Sequence, residues 1–212
     1  MYPVPVRRER IVDGVMHAVG VIGALTGAII LIIWAAGSAS AGQIAAIAVY
    51  GGTLIATFVA SATYHLAPWH TLRGILRRID HAAIYLKIAG TYTPLVVLIG
   101  HWFAYAVLAV VWALALVGMV LKLFFWRAPG RFGPALYLVM GWLSLALIWS
   151  LWPIVPWVVM LLIALGGLIY TVGVPFYASE RLRYATAIWH ALVVIASGCF
   201  FAAITVATVS LT

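Results

Sequence analysis

The chain has 212 residues, of which 67% are hydrophobic and 8% charged, with 10 Trp and a formal net charge of +8; the mean hydropathy is +1.18 and the sequence pI is about 10.0. A soluble domain is about half apolar and about a quarter charged, so this composition excludes one and calls for lipid as the solvent. The single cysteine, Cys199, excludes an internal disulfide framework and a thiolate-cluster metal site.

At about 20 residues per span, with short loops, the length allows about seven transmembrane helices and leaves no room for a large ectodomain or an appended soluble domain. Residues 1–13 read as a short N-terminal segment and 14–212 as one all-α, seven-helix transmembrane domain. Apolar runs place the spans at 14–36, 43–64, 79–99, 102–122, 134–152, 156–177 and 184–208. The breaks are short and turn-like: Gly37 to Ser40, Ala67-Pro68, Gly100-His101, Ala128-Pro129-Gly130, Pro153 to Pro156, and Ser179 to Arg183. Tyr92, Thr93 and Pro94 suggest a kink in the third span, and no strand-length alternation supports a β-barrel.

The basic residues set the expected orientation. Arg7, Arg8 and Arg10 precede span one; Arg73, Arg77 and Arg78 lie between spans two and three. Lys122, Arg127 and Arg131 lie between four and five, and Arg181 and Arg183 between six and seven. The twelfth basic residue, Lys87, falls inside a span. The positive-inside rule then puts the N-terminus in the cytoplasm and the C-terminus outside, and the positive charge reads as facing a membrane surface, with no role for nucleic acid.

Ionisable groups inside lipid cost several kcal/mol unless paired, hydrated or bound to metal. His17, His65, Asp80, His81 and His190 all fall at the cytoplasmic ends of their spans, so four helices bring polar groups to one depth. Ser61 and His65 are four residues apart and share a helix face, as do Thr186 and His190. Glu9, Asp13 and His17 follow the same step, forming one stripe if the first helix begins that early. His65, His190 and Asp80, from three helices, make a candidate catalytic-type zinc centre with an open position. The plainer alternative is that each histidine lies among lipid headgroups.

The segment Ser61-Ala62-Thr63-Tyr64-His65 resembles the S-x-x-Y-H motif of the hemolysin III family, the bacterial branch related to the progestin and adipoQ receptors and, more distantly, to alkaline ceramidases. Asp80-His81-Ala82-Ala83-Ile84, followed by Ile88-Ala89-Gly90-Thr91-Tyr92-Thr93-Pro94, is similar to that family's D-H-x-x-I…I-A-G-T-Y-T-P signature. Leu136 to Trp142, Gly166 to Tyr170 with Gly173 and Phe176-Tyr177, and Ala187 to His190 extend the likeness from about Arg10 to Ile204. The resemblance implies a multi-pass plasma-membrane protein of the bacterial inner membrane, with zinc held near the cytoplasmic face by three histidines. On that pattern His65 and His190 are metal ligands, Asp80 holds a water at the metal and Ser61 hydrogen-bonds nearby. Two departures stand out. Thr186 occupies the first position of the family's H-x-x-x-H motif, leaving Asp80 itself, His81 or His17 as substitutes; Phe200 stands where many relatives carry a histidine. Cys199 lies on the face opposite His190 and is rejected as a ligand.

Lys87 is expected to pair with Asp80, to meet a lipid headgroup, or to snorkel towards water. Trp34, Trp102, Trp149, Trp152 and Trp157 read as an outer aromatic belt. Trp69, His70 and Arg73 to Arg78 read as a short interfacial helix on anionic lipid, and Glu180, Arg181 and Arg183 as a solvated loop. Three functions follow. One is a zinc-dependent hydrolase of a lipid amide or ester, in which Asp80 takes a proton and Ser61 helps place the oxyanion. Another is a non-enzymatic protein of membrane homeostasis or lipid sensing, with membrane lipids as its partners. The third is a pore-forming haemolysin, against which stands the lack of a continuous polar stripe on any span.

Overall fold

The computed structural model describes residues 7–125, 132–179 and 182–211. In chain order the helices are α1 (Arg7–Ser38), α2 (Ala41–Leu66), α3 (Arg73–Ile99), α4 (Trp102–Phe124), α5 (Phe132–Trp142), α6 (Leu145–Leu151), α7 (Trp157–Ala178) and α8 (Ala185–Leu211), with one 3-10 turn at His70–Leu72. Among the described residues there is no strand, and seven spans are long and apolar enough to cross a membrane, α5 and α6 sharing one over Gly133–Leu151. Residues 1–6, the break at Ala128-Pro129-Gly130, Arg127, Arg131, Glu180 and Arg181 lie outside the described residues.

Local chemistry fixes the helix ends. Ser40 caps α2: its hydroxyl accepts from the Gln43 N–H at 3.4 Å, and the Gln43 side chain accepts from the Ser40 N–H at 2.8 Å. Gly100 ends α3 at φ 74, a left-handed position that costs glycine nothing. Two helices start six or seven residues before their apolar runs. α1 begins at Arg7 rather than 14, its first turn tied to the far end of the chain by Glu9 and Arg183 at 3.4 Å. α3 begins at Arg73 rather than 79 and absorbs most of the expected interfacial helix, leaving only the 3-10 turn before it. α3 also runs on through Pro94, a residue that lacks the N–H for Gly90.

α3 is the central helix. It touches α2, α4, α5, α6 and α8, while α1 packs on α2 and α8, and α7 packs on α8. Its face towards α2 depends on Gly90: a side chain there would collide with the Cβ, Oγ1 and Cγ2 of Thr53. Large apolar residues such as Ile22, Ile30 and Ile33 on α1, Leu116 and Val117 on α4, and Leu168 and Val172 on α7 stay exposed. On a spanning bundle that surface is wetted by lipid. Trp34, Trp102, Trp149, Trp152 and Trp157 are exposed as well, all at one end of the bundle.

The span expected to run unbroken over 134–152 is interrupted between α5 and α6. There the bonding tightens, with the Ser144 N–H on Gly141 O at 3.3 Å and the Leu147 N–H on Ser144 O at 2.9 Å. The Tyr92 hydroxyl, on α3, donates to the carbonyls of Met140 at 2.6 Å and Gly141 at 2.9 Å. A backbone group freed at membrane depth needs such a partner.

Candidate metal centre

The start of α1, the end of α2 and the starts of α3 and α8 meet at the end of the bundle opposite the tryptophans. There Asp13, His17, His65 and His190 each offer one donor atom, and these atoms lie within 4.8 Å of one another, a set able to hold a metal ion. The three imidazoles face each other closely: ring centroids are 5.1 Å apart for His17 and His65, 4.3 Å for His17 and His190, and 4.5 Å for His65 and His190. His17 and His190 are only 2% and 8% exposed. Three borderline nitrogens and one carboxylate gathered at one point, His17 and His190 buried and His65 and Asp13 half-buried, fit the ligand preferences of a divalent transition metal.

Asp13 ties the set together. The His17 Nδ1–H donates to the Asp13 main-chain carbonyl at 2.8 Å, and the His190 Nδ1–H to Asp13 Oδ1 at 2.6 Å. Asp13 Oδ2 lies 3.7 Å from Nδ1 of both His17 and His65. Because a carbonyl and a carboxylate only accept, these contacts assign the Nδ1–H tautomer to His17 and His190 and leave each Nε2 unprotonated, an acceptor or a metal donor.

Of the residues singled out by sequence, His65 and His190 belong to this set. Ser61 adjoins it, its hydroxyl donating to His17 Nε2 at 3.3 Å. Asp80 does not belong to it. It is buried at the start of α3, with Oδ2 3.4 Å from His81 Nδ1 and within electrostatic reach of His65 and His190. The His81 Nδ1–H also donates to Arg77 O at 2.8 Å, so its ring is turned along its own helix. Thr186 is exposed on the first turn of α8; the third imidazole comes instead from His17 on α1. Asp13 is the residue that sequence reasoning left without a role. Its only signal is the four-residue step to His17, which shows a shared face and not what that face meets.

Lys87 corrects its expectation. It neither pairs with Asp80 nor snorkels: it is 7% exposed, and its ammonium donates to the Tyr170 hydroxyl and, at 2.7 Å, to Ser197 Oγ. It also lies over the rings of Phe58 and Tyr170, at 5.1 and 4.9 Å from their centroids. The spacing explains the placement. Asp80 to Lys87, His190 to Ser197 and His65 to Phe58 are each seven residues, two helical turns or about 10 Å. The helix faces that carry His65, His190 and the neighbouring Asp80 therefore also build a second layer beneath the metal set, around the Lys87 ammonium. Phe200 stacks on Tyr170 at 6.0 Å in that layer.

Residues 7–201 match the family described as Haemolysin-III related. The chain is 34% identical over 197 residues to the Hemolysin-3 homolog of Bacillus subtilis (strain 168), covering 92% of each. It is 33% identical to Hemolysin-3 of Bacillus cereus, covering 92% of this chain and 89% of that one. It is 30% identical over 181 residues to the human monocyte to macrophage differentiation factor, covering 74% of this chain and 67% of that one.

Proposed function

This chain belongs to the haemolysin-III related family and is a multi-pass protein of a bacterial membrane, and from that premise we propose that it is a zinc-dependent hydrolase acting on an amide or ester bond of a membrane lipid. The observation that carries the reading is the convergence of three imidazoles, two of them deeply buried, beside a carboxylate at one end of a lipid-facing bundle. His17, His65 and His190 would hold the ion; when bound, it supplies a Lewis acid that polarises a carbonyl and lowers the pKa of water to about 7. Asp80, buried next to the set, would take a proton from water. The Ser61 hydroxyl, 3.3 Å from His17 Nε2, would turn from that nitrogen to donate to an oxygen of the substrate. His17 and His190, 2% and 8% exposed, lie largely out of water, which strengthens their electrostatic interactions.

The described basic residues outside Lys87, namely Arg7, Arg8, Arg10, Arg73, Arg77, Arg78, Lys122 and Arg183, all lie at the end that carries the histidines, so we assign that end to the cytoplasm. A cysteine placed at Thr71 should react with an impermeant reagent only after the membrane is opened.

The decisive measurement is metal content of the purified full chain, beside His65→Ala, His190→Ala and Thr186→Ala. About one zinc per chain in the parent and in Thr186→Ala, with loss in both histidine variants, is the expected result. Equal, negligible zinc in all four refutes the reading. A second reading, a closed structural site in a non-enzymatic protein, draws on the presence of a fourth donor, Asp13, in the set: structural zinc sites fill all four positions with side chains.

A further inference from the structure

We propose that Asp13 is not a metal ligand but the positioning residue of the centre: it holds His17 and His190 by their Nδ1–H groups so that their Nε2 atoms, together with a nitrogen of His65, face the metal. The inference rests on the metal-binding reading above and decides between its open and closed forms.

Distance carries the argument. Two donors on one tetrahedral zinc, each about 2.0–2.2 Å from the ion, lie about 3.3–3.6 Å apart. Asp13 Oδ1 and His190 Nδ1 are 2.6 Å apart. That separation suits a hydrogen between them, as in a short charge-assisted bond, and is too small for two ligands of one ion. His190 therefore has only Nε2 to offer a metal. His17 is fixed in the same sense by a different atom of the same residue, the Asp13 main-chain carbonyl at 2.8 Å. The second carboxylate oxygen, 3.7 Å from both His17 and His65, faces their Nδ1 sides as well. One residue thus approaches all three rings from the Nδ1 side. A carboxylate or carbonyl behind a ligating imidazole fixes its tautomer and orientation and makes the ring a better donor.

The consequence is chemical. With Asp13 behind the rings, the protein supplies three nitrogens and leaves the fourth position for water or substrate, as in catalytic zinc sites. With Asp13 as a ligand, the position is filled.

The test uses the full chain in detergent, loaded with Zn2+ for affinity and with Co2+ for its visible spectrum, in the parent, Asp13→Asn, Asp13→Ala and His190→Ala. Asparagine keeps the size and the accepting oxygen of Asp13 but not its charge. The expected result is that Asp13→Asn binds zinc within about tenfold of the parent with an unchanged Co2+ spectrum. Asp13→Ala should bind about 10–100-fold more weakly, the usual cost of losing an outer partner, and His190→Ala should lose the site. If Asp13→Asn loses metal as fully as His190→Ala, or shifts the Co2+ spectrum, Asp13 is a ligand and the proposal falls while the metal reading stands. A parent chain that takes up neither ion overturns both. Nitrogen-15 spectra of the metal-free chain give an independent readout: His17 and His190 should show the Nδ1–H tautomer, and the Nε2–H form at either residue overturns the assignment.

Discussion

The contact between Gly90 and Thr53 offers a quantitative test of how α2 and α3 are held. A methyl added at Gly90 meets three atoms of Thr53: Oγ1, Cβ and Cγ2. Thr53 has nowhere to swing, because it is β-branched, 7% exposed and bonded through Oγ1 to Tyr50 O at 2.9 Å. Relief requires the two helices to separate, so Gly90→Ala should fall at the upper end of the overpacking range, about 2–3 kcal/mol. A surface Gly→Ala in a helix would instead gain up to about 1 kcal/mol. Thr53→Gly removes all three obstructing atoms, and the double variant should recover most of the loss, a coupling of about 2 kcal/mol or more. Reversible unfolding of the four proteins in detergent or bicelles gives the cycle. A coupling below about 0.5 kcal/mol would refute the close-approach argument, whatever the single variants do. Since α2 carries His65, the single variant should also weaken metal binding, and Thr53→Gly should restore it.

Two further substitutions probe the interior. Lys87→Met should change stability by less than about 1.5 kcal/mol: it removes two hydrogen bonds from a charged donor but also the cost of about 3 kcal/mol of a charge at mid-membrane. Tyr170 and Ser197 remain bonded to each other at 3.0 Å, so no hydroxyl is orphaned; a loss above about 3 kcal/mol in the same unfolding assay would show that the ammonium has an anionic partner. Tyr92→Phe should cost about 1–3 kcal/mol, because it takes the hydroxyl from the buried Met140 carbonyl and leaves Gly141 O only its bond from the Ser144 N–H. Amide exchange around residues 139–147 should rise with it, and an unchanged exchange pattern would contradict the role given to that hydroxyl.

The seven spans were legible because lipid imposes a crude rule, a long apolar run, that composition satisfies or fails. Their ends were less so. The charged stretch Arg7 to Arg10 hid the first two turns of α1, whose helicity is supported by Glu9 and Arg183 across the bundle. Nothing between Trp142 and Ser144 marks the break in span five, since its partner, Tyr92, lies about fifty residues away. At the centre, depth was legible from the alternation of spans, which brought His65 and His190 to one level. Rotation was not. Whether Asp13 or Asp80 turns towards the imidazoles depends on how α1 and α3 are rolled against their neighbours, and a four-residue spacing carries no such information. The same gap explains Lys87, whose hydroxyl partners stand on α7 and α8 and share no local pattern with it.

The pairing of Asp13 with His190 joins residues 177 positions apart, and this bears on how the molecule is made. During synthesis the first helix enters the bilayer carrying an imidazole and an acid, and the acid's hydrogen-bond partner on the last helix does not yet exist. Until that helix arrives, those groups must stay at the water boundary or be tolerated at a penalty. The cluster is complete only once the last helix has docked, and a chain cut short before it leaves Asp13 Oδ1 without its His190 donor while His17 keeps its bonds to Asp13 O and Ser61.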